Sequence, residues 1–107
     1  MVKIRLKDRV EFSREKMAKV LLASTERLQL DLYCLEAGQS QKPHAHHDID
    51  KVYYVVEGEG RITLGGASEP IEAGEAAVAN AGIEHGLTNT GQSRMVCLVI
   101  VAPPPTH

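Results

Sequence analysis

The chain has 107 residues, of which 43% are apolar and 24% charged, enough for one globular domain with a buried core and too apolar for a disordered segment. Twelve Lys/Arg against fourteen Asp/Glu give a net charge of −2, which argues against a globally basic nucleic-acid binder. No run approaches the ~20 apolar residues of a membrane helix, so neither nucleic acid nor membrane is expected as a partner.

Charge is unevenly spread along the chain. Residues 1–20 hold seven Lys/Arg and three Asp/Glu, or +4, and the remainder holds five and eleven, or −6. This basic arm is expected to form a solvated edge strand, with contact to an acidic partner as the alternative. Met1 to Lys7 alternates charged with apolar residues and lacks the apolar run of a secretory signal, so a cytoplasmic location is expected. Ser13 to Ala18 is expected to form one short helical turn with Ser13 as its N-cap.

Strand signals dominate the rest. Lys19 to Thr25 is rich in β-formers, and Leu28 to Leu35 alternates apolar with mostly polar residues, the period-2 pattern of a half-buried strand. Val52 to Val56 is β-branched and aromatic. Arg61 to Leu64 follows the glycine-rich Glu57-Gly58-Glu59-Gly60, which reads as a tight turn and not a phosphate loop, because no helix follows it. Further strands are expected at Glu69–Glu72, Ala76–Ala79, His85–Thr88 and Arg94–Val101, each bounded by Gly, Asn or Pro signals. Cys34 and Cys97, 63 residues apart, match no paired thiol motif and are expected as buried, reduced thiols in strands. About eight to ten short strands argue for an all-β sandwich or barrel. A single domain is expected over residues 1–107, with 102–107 as a C-terminal extension.

Three of the five histidines fall within the segment His44-Ala45-His46-His47. On a strand, residues i and i+2 point to the same side, so His44 and His46 can aim at one point. Pro43 stiffens the chain that enters the pair. His85 follows the turn Asn80-Ala81-Gly82-Ile83-Glu84 and opens a later strand, which a β-barrel can return alongside the first. His47 is expected to be a solvent-exposed bystander and His107 a tail residue.

These residues resemble the cupin superfamily, whose small members are antiparallel jelly-roll barrels. The family's first motif runs Gly, five residues, His-x-His, three or four residues, Glu, six residues, Gly; Gly38, His44, His46 and Gly58 match it. The second runs Gly, five residues, Pro-x-Gly, two residues, His, three residues, Asn; Gly74, Gly82, His85 and Asn89 match it. Eight of the ten motif positions agree. Asn80 replaces the proline. The glutamate position is occupied by Lys51 if four residues precede it, or by Asp50 if three do. Period 2 does not decide which faces inward, because both faces of residues 52–56 are apolar.

The resemblance implies a divalent transition metal, Fe, Mn, Ni, Cu or Zn, held by His44, His46, Asp50 and His85. Three imidazoles alone also suffice for a metal with a bound water. Lys51 would then either bind an anionic substrate, act as a lysine of lowered pKa, or pair with Asp48, Asp50 or Glu57. Tyr53 lies two residues on and either lines the pocket or packs in the core; Glu84 is expected at the surface. The implied activity is metal-dependent dioxygenase, isomerase or lyase chemistry on a small polar organic acid or sugar derivative, with a non-catalytic binding or sensing protein as the alternative. Exposed strand edges lead to an expected homodimer.

Overall fold

The computed structural model describes residues 1–105. His107 and the end of the expected C-terminal extension lie outside the described residues. Nine strands run β1 (Ala18–Ser24), β2 (Gln29–Leu35), β3 (Ser40–His44), β4 (Asp50–Glu57), β5 (Glu59–Leu64), β6 (Ala67–Glu72), β7 (Ala76–Ala79), β8 (His85–Thr88) and β9 (Met95–Ala102). They form a five-stranded sheet in the order β1-β2-β9-β4-β7 and a four-stranded sheet in the order β3-β8-β5-β6. All pairings are antiparallel. The result is an all-β jelly-roll barrel.

The interior is filled from both sheets. Tyr33, Tyr53, Val55, Cys97 and Val99 come from the larger sheet and meet Ile62, Ile71 and Leu87 from the smaller one. Alternation along β4 sets its facing. Lys51, Tyr53 and Val55 are buried, while Tyr54 and Val56 are exposed on the outer face.

β2 and β9 are covered on both sides, because a second cluster lies outside the barrel. There the N-terminal residues Ile4, Leu6, Val10 and Phe12 pack on Leu22, Leu32, Cys34 and Val96. Only the last three residues of the basic arm, 18–20, enter an edge strand, β1; residues 1–17 form none. They contain a short 3-10 turn, Leu6–Asp8, and cover the outer face of β1, β2 and β9 with their apolar residues. The expected helical turn over Ser13–Ala18 is also absent; the segment is a bend leading into β1. Ser13 does accept a backbone hydrogen bond from Glu15 at 3.3 Å, a local capping contact that no helix continues. Cys34 and Cys97 are buried free thiols on opposite faces of the same sheet.

Candidate metal centre

One end of the barrel gathers the chemistry. The end of β3, the start of β4 and the start of β8 meet there and bring His44, Lys51 and His85, while Val101 of β9 adds an apolar wall. β3 pairs with β8 so that His44 lies opposite His85. That close approach depends on Gly86. A Cβ there would stand 2.9 Å from the Gln41 carbonyl oxygen and 3.0 Å from Pro43 Cα, so any larger residue would force β3 away from β8.

His46 lies just past the end of β3, not on a regular strand as the i, i+2 argument assumed. A loop contact fixes it instead. The Gly82 N–H donates to the His46 carbonyl at 2.6 Å, and Gly82 has φ +85°, a conformation that glycine tolerates. The Ala81 N–H donates to Asp50 Oδ1 at 2.7 Å. These two bonds tie the β7–β8 loop to the segment between β3 and β4.

The three imidazoles converge. The ligand atoms of His44, His46 and His85 all lie within 4.8 Å of one another, and the ring centroids of His44 and His85 are 4.6 Å apart. Nδ1 of His85 lies 2.9 Å from the Ile83 carbonyl, and Nδ1 of His44 lies 3.0 Å from the Lys42 carbonyl. A carbonyl only accepts, so each Nδ1 carries the proton and each Nε2 keeps its lone pair. His85 Nε2 is the one buried side-chain polar atom among the described residues with no hydrogen-bond partner. An orphan of this kind calls for an explanation. A metal ion with Zn–N-type bonds of ~2.1 Å holds its nitrogens ~3–3.4 Å apart, so small ring rotations would close the triad on an ion. Burial holds the His85 and His46 pKa values below the usual histidine range, with nearby positive groups adding to it, which keeps both imidazoles neutral and available as donors.

Asp50 does not join them. It is exposed, and its carboxylate is taken by the Ala81 N–H. Successive residues of a strand face opposite sides, so the same register that turns Asp50 out turns Lys51 in. Of the four expected ligands the structure draws the three histidines together and leaves Asp50 apart, with Lys51 beside the cluster in its place. His47 and Glu84 are exposed, in line with their expected surface positions.

Lys51 is 4% exposed. Its ammonium donates to the Tyr33 hydroxyl at 3.0 Å and lies over the Tyr33 and Tyr53 rings, 5.5 and 5.9 Å from their centroids. Gln41 completes the network: its Nε2 donates to Tyr33 Oη at 3.3 Å, and its Oε1 accepts from the Tyr53 hydroxyl at 2.7 Å. Of its two expected settings Tyr53 takes the core: it does not line the cavity itself and reaches it only through its bond to Gln41. Burial, then Lys19, pushes Lys51 down to about 8, against the pull of Asp31. Burial raises both phenols, so they stay protonated.

Sequence reasoning missed Asp31, which is fully buried between Gln29 and Lys19. Gln29 Nε2 donates to both of its oxygens, at 3.0 and 3.1 Å, and Lys19 Nζ is 3.9 Å away. The alternation of β2, with Tyr33 and Leu35 inward, was the signal that could have placed it. A cavity of about 330 Å3 opens over the triad, lined by Lys19, Gln41, His44, His46 and Lys51 among others. A groove of about 290 Å3 near the β4–β5 turn, lined by Gly58, Glu59 and Glu72, carries carboxylates but no imidazole.

Comparison with known proteins agrees with this geometry. A family model for the cupin domain matches residues 31–101. An uncharacterized protein of Streptomyces coelicolor is 37% identical over 79 residues, 72% of this chain and 71% of that one. An oxalate-binding protein of Thermotoga maritima is 31% identical over 67 residues, 63% of this chain and 55% of that one. A crystal structure of a Thermus thermophilus protein superposes with a TM-score of 0.95 at 42% identity, covering 98% of this chain and 100% of that chain. With the motif histidines brought together at one end of a jelly-roll barrel and the matched segment spanning β2 to β9, the chain belongs to the cupin domain family.

Proposed function

We propose that this cupin holds a divalent transition metal, Fe, Mn, Ni, Cu or Zn, on Nε2 of His44, His46 and His85, and uses it on a small polar organic acid or sugar derivative as a dioxygenase, isomerase or lyase. The observation that carries this reading is the convergence of three imidazoles, two of them locked by backbone carbonyls, with His85 Nε2 buried and unpartnered. The name of the Thermotoga relative supports an organic-acid ligand. A bound ion would supply Lewis-acid polarisation of substrate oxygens. The chain's own residues would do the rest. The backbone carbonyls of Lys42 and Ile83 fix the tautomers, the barrel wall keeps bulk water from one side, and the Lys51–Tyr33–Gln41 network orients polar groups of the ligand.

A second reading, a barrel that holds its ligand without turning it over, is favoured by one observation: a lysine stands where the family motif has a carboxylate. We also infer pairing with a second copy, supported by Leu21 and Val78, 56% and 59% exposed on the edge strands β1 and β7. A dimer mass in light scattering is expected, and a monomer at all concentrations refutes the pairing.

Metal analysis tests the main reading. Protein purified without an affinity tag and reconstituted with each ion in turn is expected to hold about one ion per chain, and His44→Ala or His85→Ala to lose it. Negligible metal after all five reconstitutions refutes it. Turnover of candidate acids by the loaded protein separates the enzyme from the binder.

A further inference from the structure

Lys51 presents a problem of charge. It is 4% exposed and carries three N–H donors. Among the described residues its ammonium has one hydrogen bond, to Tyr33, and no carboxylate oxygen within 4.0 Å. Asp31, the buried carboxylate inside the same barrel, is already engaged by Gln29 and Lys19. A buried cation without a paired anion is unfavourable, and proteins pair such charges or bind a ligand there. The ammonium borders the cavity that His44 and His46 also line, and Lys19 adds a second positive group at its edge.

We propose that Lys51 is the anion seat of this cavity, where the carboxylate of a small organic acid takes the ammonium's free N–H donors while the rest of the molecule reaches toward the three histidines. The inference deepens the proposed function by naming the ligand's charge and the residue that reads it. It rests on that reading for the histidine end of the ligand only; the lysine end acts without a metal. A volume of about 330 Å3 holds an acid of a few carbons. An ammonium is a compact point charge, which suits a carboxylate oxygen without demanding a two-pronged geometry. A neutral sugar would leave the charge unpaired, so the anionic class is favoured over it.

The test uses the full chain in a carboxylate-free buffer, once stripped of metal by a chelator and dialysed, and once reconstituted with Zn. Acetate, glycolate and malonate are titrated by calorimetry and by thermal shift, with sulfate and phosphate as other anions and glycerol as a neutral control. Wild type is expected to bind at least one carboxylate in both metal states. Lys51→Met keeps most of the length and volume of the side chain without the ammonium and is expected to bind about 10- to 100-fold more weakly. Its own melting curve and its zinc content report whether it folds and keeps the triad. Equal binding by wild type and Lys51→Met overturns the proposal, as does the absence of carboxylate binding in both metal states, or tighter binding of glycerol than of any acid. Preference for sulfate or phosphate over every carboxylate overturns the assignment to organic acids. Failure to take up zinc, and then each of the other four ions, refutes the metal reading alone, because the stripped protein still reports on Lys51.

Discussion

Lys51→Met is expected to stabilise the protein, which is unusual for a change beside a functional site. A fall from 10.5 to about 8 in the lysine's pKa corresponds to ~3 kcal/mol of unfavourable charge burial in the folded state at neutral pH. Water in the adjoining cavity screens part of this, and the variant also loses the hydrogen bond to Tyr33, so ~1–2 kcal/mol is expected to remain. For a chain of this size that is roughly 5–10 °C in melting temperature. The sign with pH follows from the lowered folded value. Below pH 8 the lysine is charged in both states and the penalty is fully present. Between pH 8 and 10.5 the unfolded chain keeps its proton while the folded one releases it, so the wild type gains on the variant as pH rises through this window. Burial also raises Cys97, to about 12, and the two phenols, which lowers alkaline stability in both proteins, so the quantity to read is the difference between them. Urea unfolding of both proteins at pH 7, 8.5 and 10, without metal or carboxylate, measures it. A variant less stable than wild type at pH 7, or a difference that does not shrink by pH 10, refutes the reasoning.

Other changes follow from specific contacts. Gly86→Ala is expected to destabilise by ~1–3 kcal/mol and to lower metal content, because its Cβ would push β3 and His44 away from His85; calorimetric unfolding with metal analysis checks both. Asn89 is 1% exposed and donates to the Leu35 and Ser93 carbonyls at 3.0 and 2.9 Å while accepting from the Gly91 N–H at 3.0 Å. Asn89→Ala is expected to cost ~2–4 kcal/mol in denaturant unfolding without changing metal stoichiometry. Asp50→Asn keeps an acceptor for the Ala81 N–H, so metal content is expected to match wild type, and loss of the ion would restore Asp50 as a ligand.

The strands legible in the sequence were those whose ends carry glycine, asparagine or proline and whose β-branched residues cluster. β3 lacked such a signal: Ser40-Gln41-Lys42-Pro43-His44 is polar, and its place in the sheet comes from its pairing with β8. The arm's covering role was hidden because Ile4, Leu6, Val10 and Phe12 alternate as the residues of a strand do, yet they pack on the outer face as an irregular segment. At the site, motif spacing pointed to His44, His46 and His85, whose rings the fold draws together. The facing of Asp50 and Lys51 could not be read, because alternation needs one polar face and residues 52–56 have none. Core packing of Tyr53 and Val55 chose the register, and Lys51 was carried inward with them. The motif asparagine, Asn89, proved to be a buried clasp on the turn before β9.

The two thiols sit on neighbouring strands yet belong to different compartments, Cys34 beneath the N-terminal arm and Cys97 inside the barrel. Each is therefore a native clock for a separate opening event. A thiol reagent meets Cys34 whenever the arm lifts, a local fluctuation that leaves the barrel closed, but reaches Cys97 only when the two sheets part. The ratio of the two labelling rates gives the extent to which the outer covering and the site-bearing barrel breathe independently.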